Sequence, residues 1–200
     1  IGNNILFFLS GTMVQPFRSY INLDCGKNYL DFDENKLLTE LPKINYDDFQ
    51  GTHWQPSLIP VETWNKVGGF SEEFYPGTGS DPDLNMKLWK SGIRIFKGIN
   101  DFKVYHFGSI VTRKFRNDSN IKTETGNLGS KIFLLKWGIS INFFKRFILK
   151  SDTLYKGQLP LKKSYSFSYL INLIKCKINY IYVKYIYNFK NRIKTPNENS

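Results

Sequence analysis

Two carboxylates, Asp81 and Asp83, lie at the start of a segment with helical apolar periodicity, directly behind a Gly- and Pro-containing loop at 71–80. An Asp in the first turn of a helix stays ionised readily, because the helix dipole favours negative charge there. Such a carboxylate can act as a general base towards a hydroxyl group that the flexible loop allows to approach. A structural role is the alternative, since Asp is a preferred N-cap residue. The pattern predicts Asp81 as the N-cap, with Pro82 as the first helical residue.

A histidine, His106, follows Asp81 by 25 residues, in the sequence Tyr-His-Phe-Gly near the end of an apolar stretch. Imidazole can bind a divalent metal ion, although a single histidine is also a common surface or core residue. Residues 108–130 then form a polar stretch that contains the cations Arg113 and Lys114. So long a connection in a compact domain is typical of a lid or of a disordered segment.

The elements that must position these residues are predicted from apolar periodicity and from Gly, Pro and Ser punctuation. The predicted elements are a strand at 5–9 with a bend at 12–16, a helix from Pro60 to Val67 stopped by Gly68-Gly69, a helix at 80–91 ended by Gly92, two strands near Arg94 and Tyr105, and helices at 131–138 and 140–150 with Ser140 as an N-cap. Trp89 is interpreted as a core residue of the second helix.

Three short motifs occur in a characteristic order over about forty residues: Gly68-Gly69-Phe70-Ser71-Glu72, Ser80-Asp81-Pro82-Asp83-Leu84 and Gly92-Ile93-Arg94-Ile95. In order and spacing they resemble the inverting family 2 glycosyltransferases of the GT-A fold. The Ser before Asp81 and the Tyr-His-Phe-Gly phrase are similar to one subgroup of those enzymes, in which Ser replaces the usual Glu. The resemblance continues weakly to about residue 150.

The resemblance implies an α/β fold: the C-terminal portion of a GT-A domain, a mixed sheet flanked by helices, followed by a helical basic tail. Residues 1–150 would be the acceptor and catalytic-base part of that domain, and residues 151–200 a basic, aromatic, helical appendage. The nucleotide-binding half is expected upstream of Ile1. This segment alone is then expected to be inactive.

The resemblance also implies roles for individual residues in moving a sugar from a nucleotide-diphosphate donor to an acceptor hydroxyl, as in the synthesis of surface glycans. Asp81 would be the general base, and Asp83 would support it or contact the acceptor. Separately from the resemblance, the aromatic face of Trp54, just before the apparent acceptor side, predicts a platform for a sugar ring. Arg113 and Lys114 would face the departing diphosphate from a lid.

In the family, Mg2+ or Mn2+ held by an Asp-x-Asp motif stabilises the leaving group, and the resemblance makes His106 a further ligand. Asp31-Phe32-Asp33 matches the Asp-x-Asp pattern in residue type. Its position in the chain does not fit, however, so we interpret Asp31 and Asp33 as solvated loop acids and expect the motif itself upstream of Ile1.

Charge is divided unevenly along the 200 residues, whose net charge is +11. Residues 1–100 hold 9 Lys and Arg against 12 Asp and Glu, whereas residues 101–200 hold 19 against 5. The two cysteines show no metal or disulfide spacing, which favours a reducing, cytoplasmic setting.

The basic tail, rich in Tyr, Ile and Phe, leaves rival interpretations open. A protein that binds single-stranded nucleic acid would show similar interleaving, but no recognised nucleic-acid motif accompanies it and we expect no such partner. Peripheral contact with a membrane surface is compatible with a transferase. A solvated basic helix is the simplest alternative, and a binding protein without catalysis, derived from a transferase, is the alternative function.

Overall fold

The computed structural model describes residues 6–17, 21–52, 56–75, 77–108, 125–151, 153–161 and 165–187. Within these ranges the chain is an α/β protein with a mixed sheet flanked by helices. The α/β class predicted from the sequence is confirmed.

Two long strands form the centre of the sheet. Strand β1 (Phe7–Gln15) runs parallel to strand β5 (Ile95–Tyr105), with a shift of register after Gly11. The predicted bend at 12–16 is wrong, because Thr12 is fully buried and its Oγ1 donates a 2.8 Å hydrogen bond to the carbonyl of Ile99.

The two strands predicted near Arg94 and Tyr105 are one strand. Residues 100–102 lie where β5 has three more residues than β1, so the strand bulges there and pairing then resumes. Asn100 donates its backbone N–H to the Asp48 carboxylate at 2.9 Å, which satisfies this donor at the irregularity.

In the described part of the chain, four two-residue strands join the sheet: β2 (Ile21–Asn22), β3 (Phe49–Gln50), β4 (Ser57–Leu58) and β6 (Thr153–Leu154). The order is β2-β1-β5-β3-β6, and β4 pairs with β1. Strand β2 is parallel to β1, whereas β4 is antiparallel to it and β3 is antiparallel to both β5 and β6. The sheet is therefore mixed.

Six α-helices occur in the described ranges: α1 (Glu34–Glu40), α2 (Val61–Val67), α3 (Ser80–Lys90), α4 (Thr125–Trp137), α5 (Ile141–Phe143, extended by a π-helix at Phe144–Leu149) and α6 (Phe167–Ile181, extended by a π-helix at Tyr182–Tyr187). Short 3-10 turns occupy Leu41–Lys43 and Glu72–Phe74.

Four helix boundaries predicted from local signals are confirmed. Helix α2 begins directly after Pro60, and Gly68 ends it with a φ of 74°, a conformation that favours glycine. Ser140 caps α5, because its hydroxyl accepts a hydrogen bond from the backbone N–H of Phe143 at 3.1 Å. Gly92, with a φ of 106°, follows the end of α3.

One apolar core joins the sheet to the helices of both predicted segments. Phe8 and Phe96 of the central strands pack with Trp89 of α3, which confirms Trp89 as a core residue. Tyr169 of α6 belongs to the same core and lies 5.0 Å, ring to ring, from Phe143 of α5. The described part of the tail therefore includes a helix, as predicted, and that helix packs against the preceding helices.

Candidate active site

The start of α3 carries Asp81 in the first turn of the helix. Gly79 is the N-cap, with a φ of 94°, and its carbonyl accepts the first helical bond from the N–H of Asp83 at 3.1 Å. The prediction of Asp81 as the N-cap is therefore wrong by two residues, since the positive φ open to glycine lets the helix begin earlier. Asp81 is half-buried, and the helix dipole still favours its charged form.

Asp83, two residues after Asp81, lies in a set of polar contacts with neighbouring elements. Its carboxylate is fully buried. Oδ1 accepts from the indole N–H of Trp137 at 2.7 Å, and Oδ2 accepts from the Ser71 hydroxyl at 2.7 Å. Lys136 Nζ lies 3.0 Å from Oδ1. Asp83 was predicted to support the base or to contact the acceptor, and these contacts turn both of its oxygens towards the protein interior.

Lys136 is the cation of this network. Its Nζ also contacts Glu73 Oε1 at 2.6 Å. Burial alone would lower the pKa of Lys136, but the hydrogen bonds to Glu73 and Asp83 outweigh it and raise that pKa above its ordinary value. The lysine is therefore charged across the physiological range.

Lys87 adds a second link from α3 to the motif loop. Its Nζ donates to the carbonyl of Gly69 at 2.7 Å and lies 3.9 Å from Asp83 Oδ2. Burial lowers the pKa of Lys87, in opposition to the attraction of Asp83. Together with Lys136, this lysine ties the Gly-Gly-Phe-Ser-Glu loop, helix α3 and the end of α4 into one unit.

Sequence reasoning gave no role to Lys136 or Trp137, although both donate to the buried carboxylate. Their resemblance to the Gln-x-x-Arg-Trp phrase of processive synthases is partial, because Phe133 stands at the Gln position. The sequence offered one sign of this pairing: Lys136 and Trp137 are adjacent at the end of α4, and α3 carries the acids. Their partner, the Asp83 carboxylate, is more than fifty residues away, so no local pattern identifies the pairing.

The loop in front of α3 is held against α4 by a close approach at Gly129. The backbone of Thr78 lies so near that a Cβ on residue 129 would collide with the Thr78 carbonyl. Gly79 of the same loop also has the Gly129 carbonyl within 3.1 Å of its own ideal Cβ position. The contact with α4 therefore fixes the position of the loop that leads into Asp81.

Gly129→Ala should lower the free energy of unfolding by about 2 kcal/mol, because backbone atoms cannot move aside as a flexible side chain can. The higher helix propensity of Ala would by itself raise the free energy of unfolding by about 1 kcal/mol. A decrease in that free energy is therefore attributable to the collision. Urea unfolding measures it, with Ser130→Ala on the same helix as the control, expected within about 0.5 kcal/mol of the wild type. Equal stability of Gly129→Ala and the wild type would contradict the close approach.

An open cleft of about 600 Å³ adjoins the start of α3. The residues that line it are Phe70, Ser71, Glu72, Phe74, Tyr75, Gly77 and Ser80. Tyr75 is 74% exposed and Phe70 is 43% exposed, so both present ring surface to an incoming molecule. Aromatic faces of this kind pack against sugar rings. Sequence reasoning missed both residues, because an aromatic in a loop gives no sign of its exposure.

His106 directly follows β5 and is half-buried. Its backbone N–H donates to the carbonyl of Val14 at 2.8 Å, which continues the pairing with β1. In the ring, Nδ1 lies 2.7 Å from Gln15 Nε2 and accepts a 3.3 Å hydrogen bond from the N–H of Gly108. Nδ1 is therefore the ring nitrogen that faces Gln15 and the following turn.

The residues on either side of His106 contact the Asp31-Phe32-Asp33 loop. The Phe32 ring lies 5.1 Å from Tyr105 and 5.5 Å from Phe107. Both acids are exposed, which confirms their interpretation as solvated loop acids. Asp31 accepts backbone hydrogen bonds from Lys27 and Asn28, which hold its pKa below the ordinary value, and Asp33 caps α1.

The residues that the structure describes do not fit a complete Mg2+ or Mn2+ site. Within those ranges no group of three or more His, Cys, Asp or Glu side chains is arranged to hold a metal ion. The metal role of His106 stays a prediction that requires ligands beyond those described.

Three of the predicted site residues lie outside the described ranges. These are Trp54, Arg113 and Lys114.

The start of α3 and the end of β5 lie at the same end of the sheet, because the helix and the strand are consecutive and run in opposite directions. Only residues 91–94 join the two elements, and the strand returns along the helix, with the Trp89 and Phe96 rings 6.2 Å apart. Because β1 and β5 are parallel, this end is the carboxyl edge of both strands, where open α/β sheets bind ligands. That His106 and Asp81 face one cleft there stays a prediction.

Comparison of the chain with protein-family models, with curated proteins and with solved structures gave no match. The motifs and the geometry of the site are therefore the grounds on which a function can be proposed.

Proposed function

We propose that this chain is the acceptor and catalytic-base part of an inverting glycosyltransferase with a GT-A domain. The observation that carries the proposal is the half-buried Asp81 in the first turn of α3, directly after Ser80, which lines an open aromatic cleft. The buried carboxylate of Asp83, paired with Lys136, lies two residues further along the same helix. The order of the motifs and the crossover from β1 through α2 and α3 to the parallel strand β5 give it further support.

In the proposed reaction the acceptor hydroxyl lies in the cleft and gives its proton to an Asp81 oxygen. The hydroxyl oxygen forms a bond to the anomeric carbon of the donor sugar, from the side opposite the diphosphate. The bond between that carbon and the diphosphate oxygen breaks, and its electron pair leaves with the diphosphate. The configuration at the anomeric carbon is therefore inverted.

Asp83 and Lys136 act in this proposal as positioning residues. The buried carboxylate fixes the rotation of α3 about its axis, because Trp137, Ser71 and Lys136 bind it from three sides. A base gains from such fixation, since a small displacement of a catalytic group lowers the rate strongly. The metal ion that the resemblance implies would supply positive charge to the diphosphate, and that part rests on residues beyond those described.

The test uses the full-length gene product with a panel of nucleotide-diphosphate sugars and hydroxyl acceptors, and it follows release of the nucleoside diphosphate. We expect release that depends on the acceptor, and a product whose anomeric configuration, read from the proton coupling constant by NMR, is opposite to that of the donor. Turnover with retained configuration would overturn the inverting mechanism. The absence of turnover with every donor would favour a binding protein without catalysis.

A further inference from the structure

Helix α6 exposes a continuous apolar face on the side opposite to its contact with the protein. Tyr169, Cys176 and Val183 repeat every seven residues and are buried against the neighbouring helices. The opposite side carries Phe167, Leu170, Ile171, Ile174, Ile178 and Ile181, which we call the α6 apolar face. Phe167 is 80% exposed, Ile174 58% and Ile178 60%. An exposed apolar patch of this extent marks an interaction site in a folded protein.

Positive charge borders the α6 apolar face. At about 100° per residue, Lys175 and Lys177 lie on opposite flanks, each about 80° from the centre of the face. Lys184 follows in the next turn, and residues 165–187 contain no Asp or Glu. Tyr182 and Tyr185, both about half exposed or more, extend the face towards the C-terminus. Tyrosine is enriched at the boundary between membrane and water.

We propose that the α6 apolar face docks into the interface of an anionic lipid bilayer, with the helix parallel to the membrane plane. Amphipathic helices bind in this way, with the apolar face among the acyl chains and flanking lysines reaching to the headgroups. Anionic lipids complement Lys175, Lys177 and Lys184. Insertion across the bilayer is not part of the proposal, because no helix in the described ranges is long and apolar enough to span a membrane.

The charge pattern also favours a lipid bilayer over a second copy of the chain as the partner of the α6 apolar face. Two α6 apolar faces packed together would bring lysines from both copies close to one another, with no acid in residues 165–187 to pair with them. Like charges at such a contact oppose association. A bilayer with anionic headgroups supplies the missing negative charge. This inference goes beyond the proposed catalysis and does not depend on it.

The experiment is flotation of the purified full-length protein with vesicles of phosphatidylcholine alone and of phosphatidylcholine mixed equally with phosphatidylglycerol. We expect binding to the mixed vesicles and little to the neutral ones. The Ile174→Ser/Ile178→Ser variant should partition about tenfold more weakly or worse, because it removes apolar area without changing the charge. Lys175→Ser/Lys177→Ser should weaken binding about tenfold and reduce its dependence on salt.

The matched control is Asn172→Ser/Asn179→Ser, two substitutions on the same helix outside the apolar face, which should bind as the wild type does. Circular dichroism melts of all variants check that the fold is retained. Unchanged binding of the isoleucine variant, equal binding to neutral vesicles, or no binding to either would overturn the proposal. Sedimentation equilibrium adds a separate outcome: a wild-type dimer that the isoleucine variant converts to a monomer would assign the face to a second copy instead.

Discussion

Lys136→Met should lower the free energy of unfolding by about 3 kcal/mol at neutral pH, because it leaves the fully buried Asp83 carboxylate without its nearest cation. The hydrogen bonds from Trp137 and Ser71 remain, and they offset only part of the cost of the buried charge. Lys87 remains 3.9 Å from Oδ2. The expected loss of stability is therefore at the lower end of the range of about 3–5 kcal/mol that is usual when one partner of a buried ion pair is removed. Urea unfolding followed by tryptophan fluorescence measures the change.

The matched variant is Asp83→Asn, which should cost less. Lys136 is 29% exposed on its side chain and keeps Glu73, so it is not left as an isolated buried charge. Combining the two substitutions should cost less than the sum of the single losses, because the double variant contains no uncompensated carboxylate. A cost below 1 kcal/mol with additive behaviour would mean that the network does not hold α3.

The sequence predicted well those elements whose determinants are local. Pro60 and Gly68 bound α2, and Ser140 caps α5, because each of these residues acts through its own backbone or its immediate neighbours. The end of α3 near Gly92 follows from the same kind of signal. The same kind of local signal failed at the start of α3, where Gly79 and not Asp81 is the N-cap.

Errors arose where distant partners decide the outcome. Strand β1 continues past the predicted bend because Thr12 bonds to Ile99, 87 residues away, and β5 is a single strand because β1 runs beside its whole length. At the site, spacing identified Asp81 and Asp83 as a pair but could not tell which carboxylate is buried. The difference depends on Trp137 and Lys136, more than fifty residues further along the chain.

Asp81→Asn should lower the turnover number for sugar transfer by about 10²- to 10⁴-fold, the usual contribution of a general base. The helix should persist, because Gly79 is the N-cap and Asn retains the shape of the side chain. Loss of a charge near the helix N-terminus costs about 0.3–1 kcal/mol, which leaves the protein folded. Donor affinity should be nearly unchanged, since the proposal assigns Asp81 to the acceptor hydroxyl and not to the donor.

Asp83→Asn is the internal comparison, because the two acids share a helix turn and differ in burial. We expect it to reduce turnover less than Asp81→Asn does, through the loss of positioning alone. Both variants are assayed at a temperature well below their unfolding midpoints, so that stability does not enter the rates.

The most direct test of the proposed role of Asp81 is therefore the turnover number of the wild type, Asp81→Asn and Asp83→Asn, measured with saturating donor and acceptor alongside the dissociation constant of the donor. We expect Asp81→Asn to bind the donor as the wild type does and to lose about 10²-fold or more in turnover, with Asp83→Asn in between. Near-normal turnover by Asp81→Asn would contradict the assignment of this carboxylate as the base.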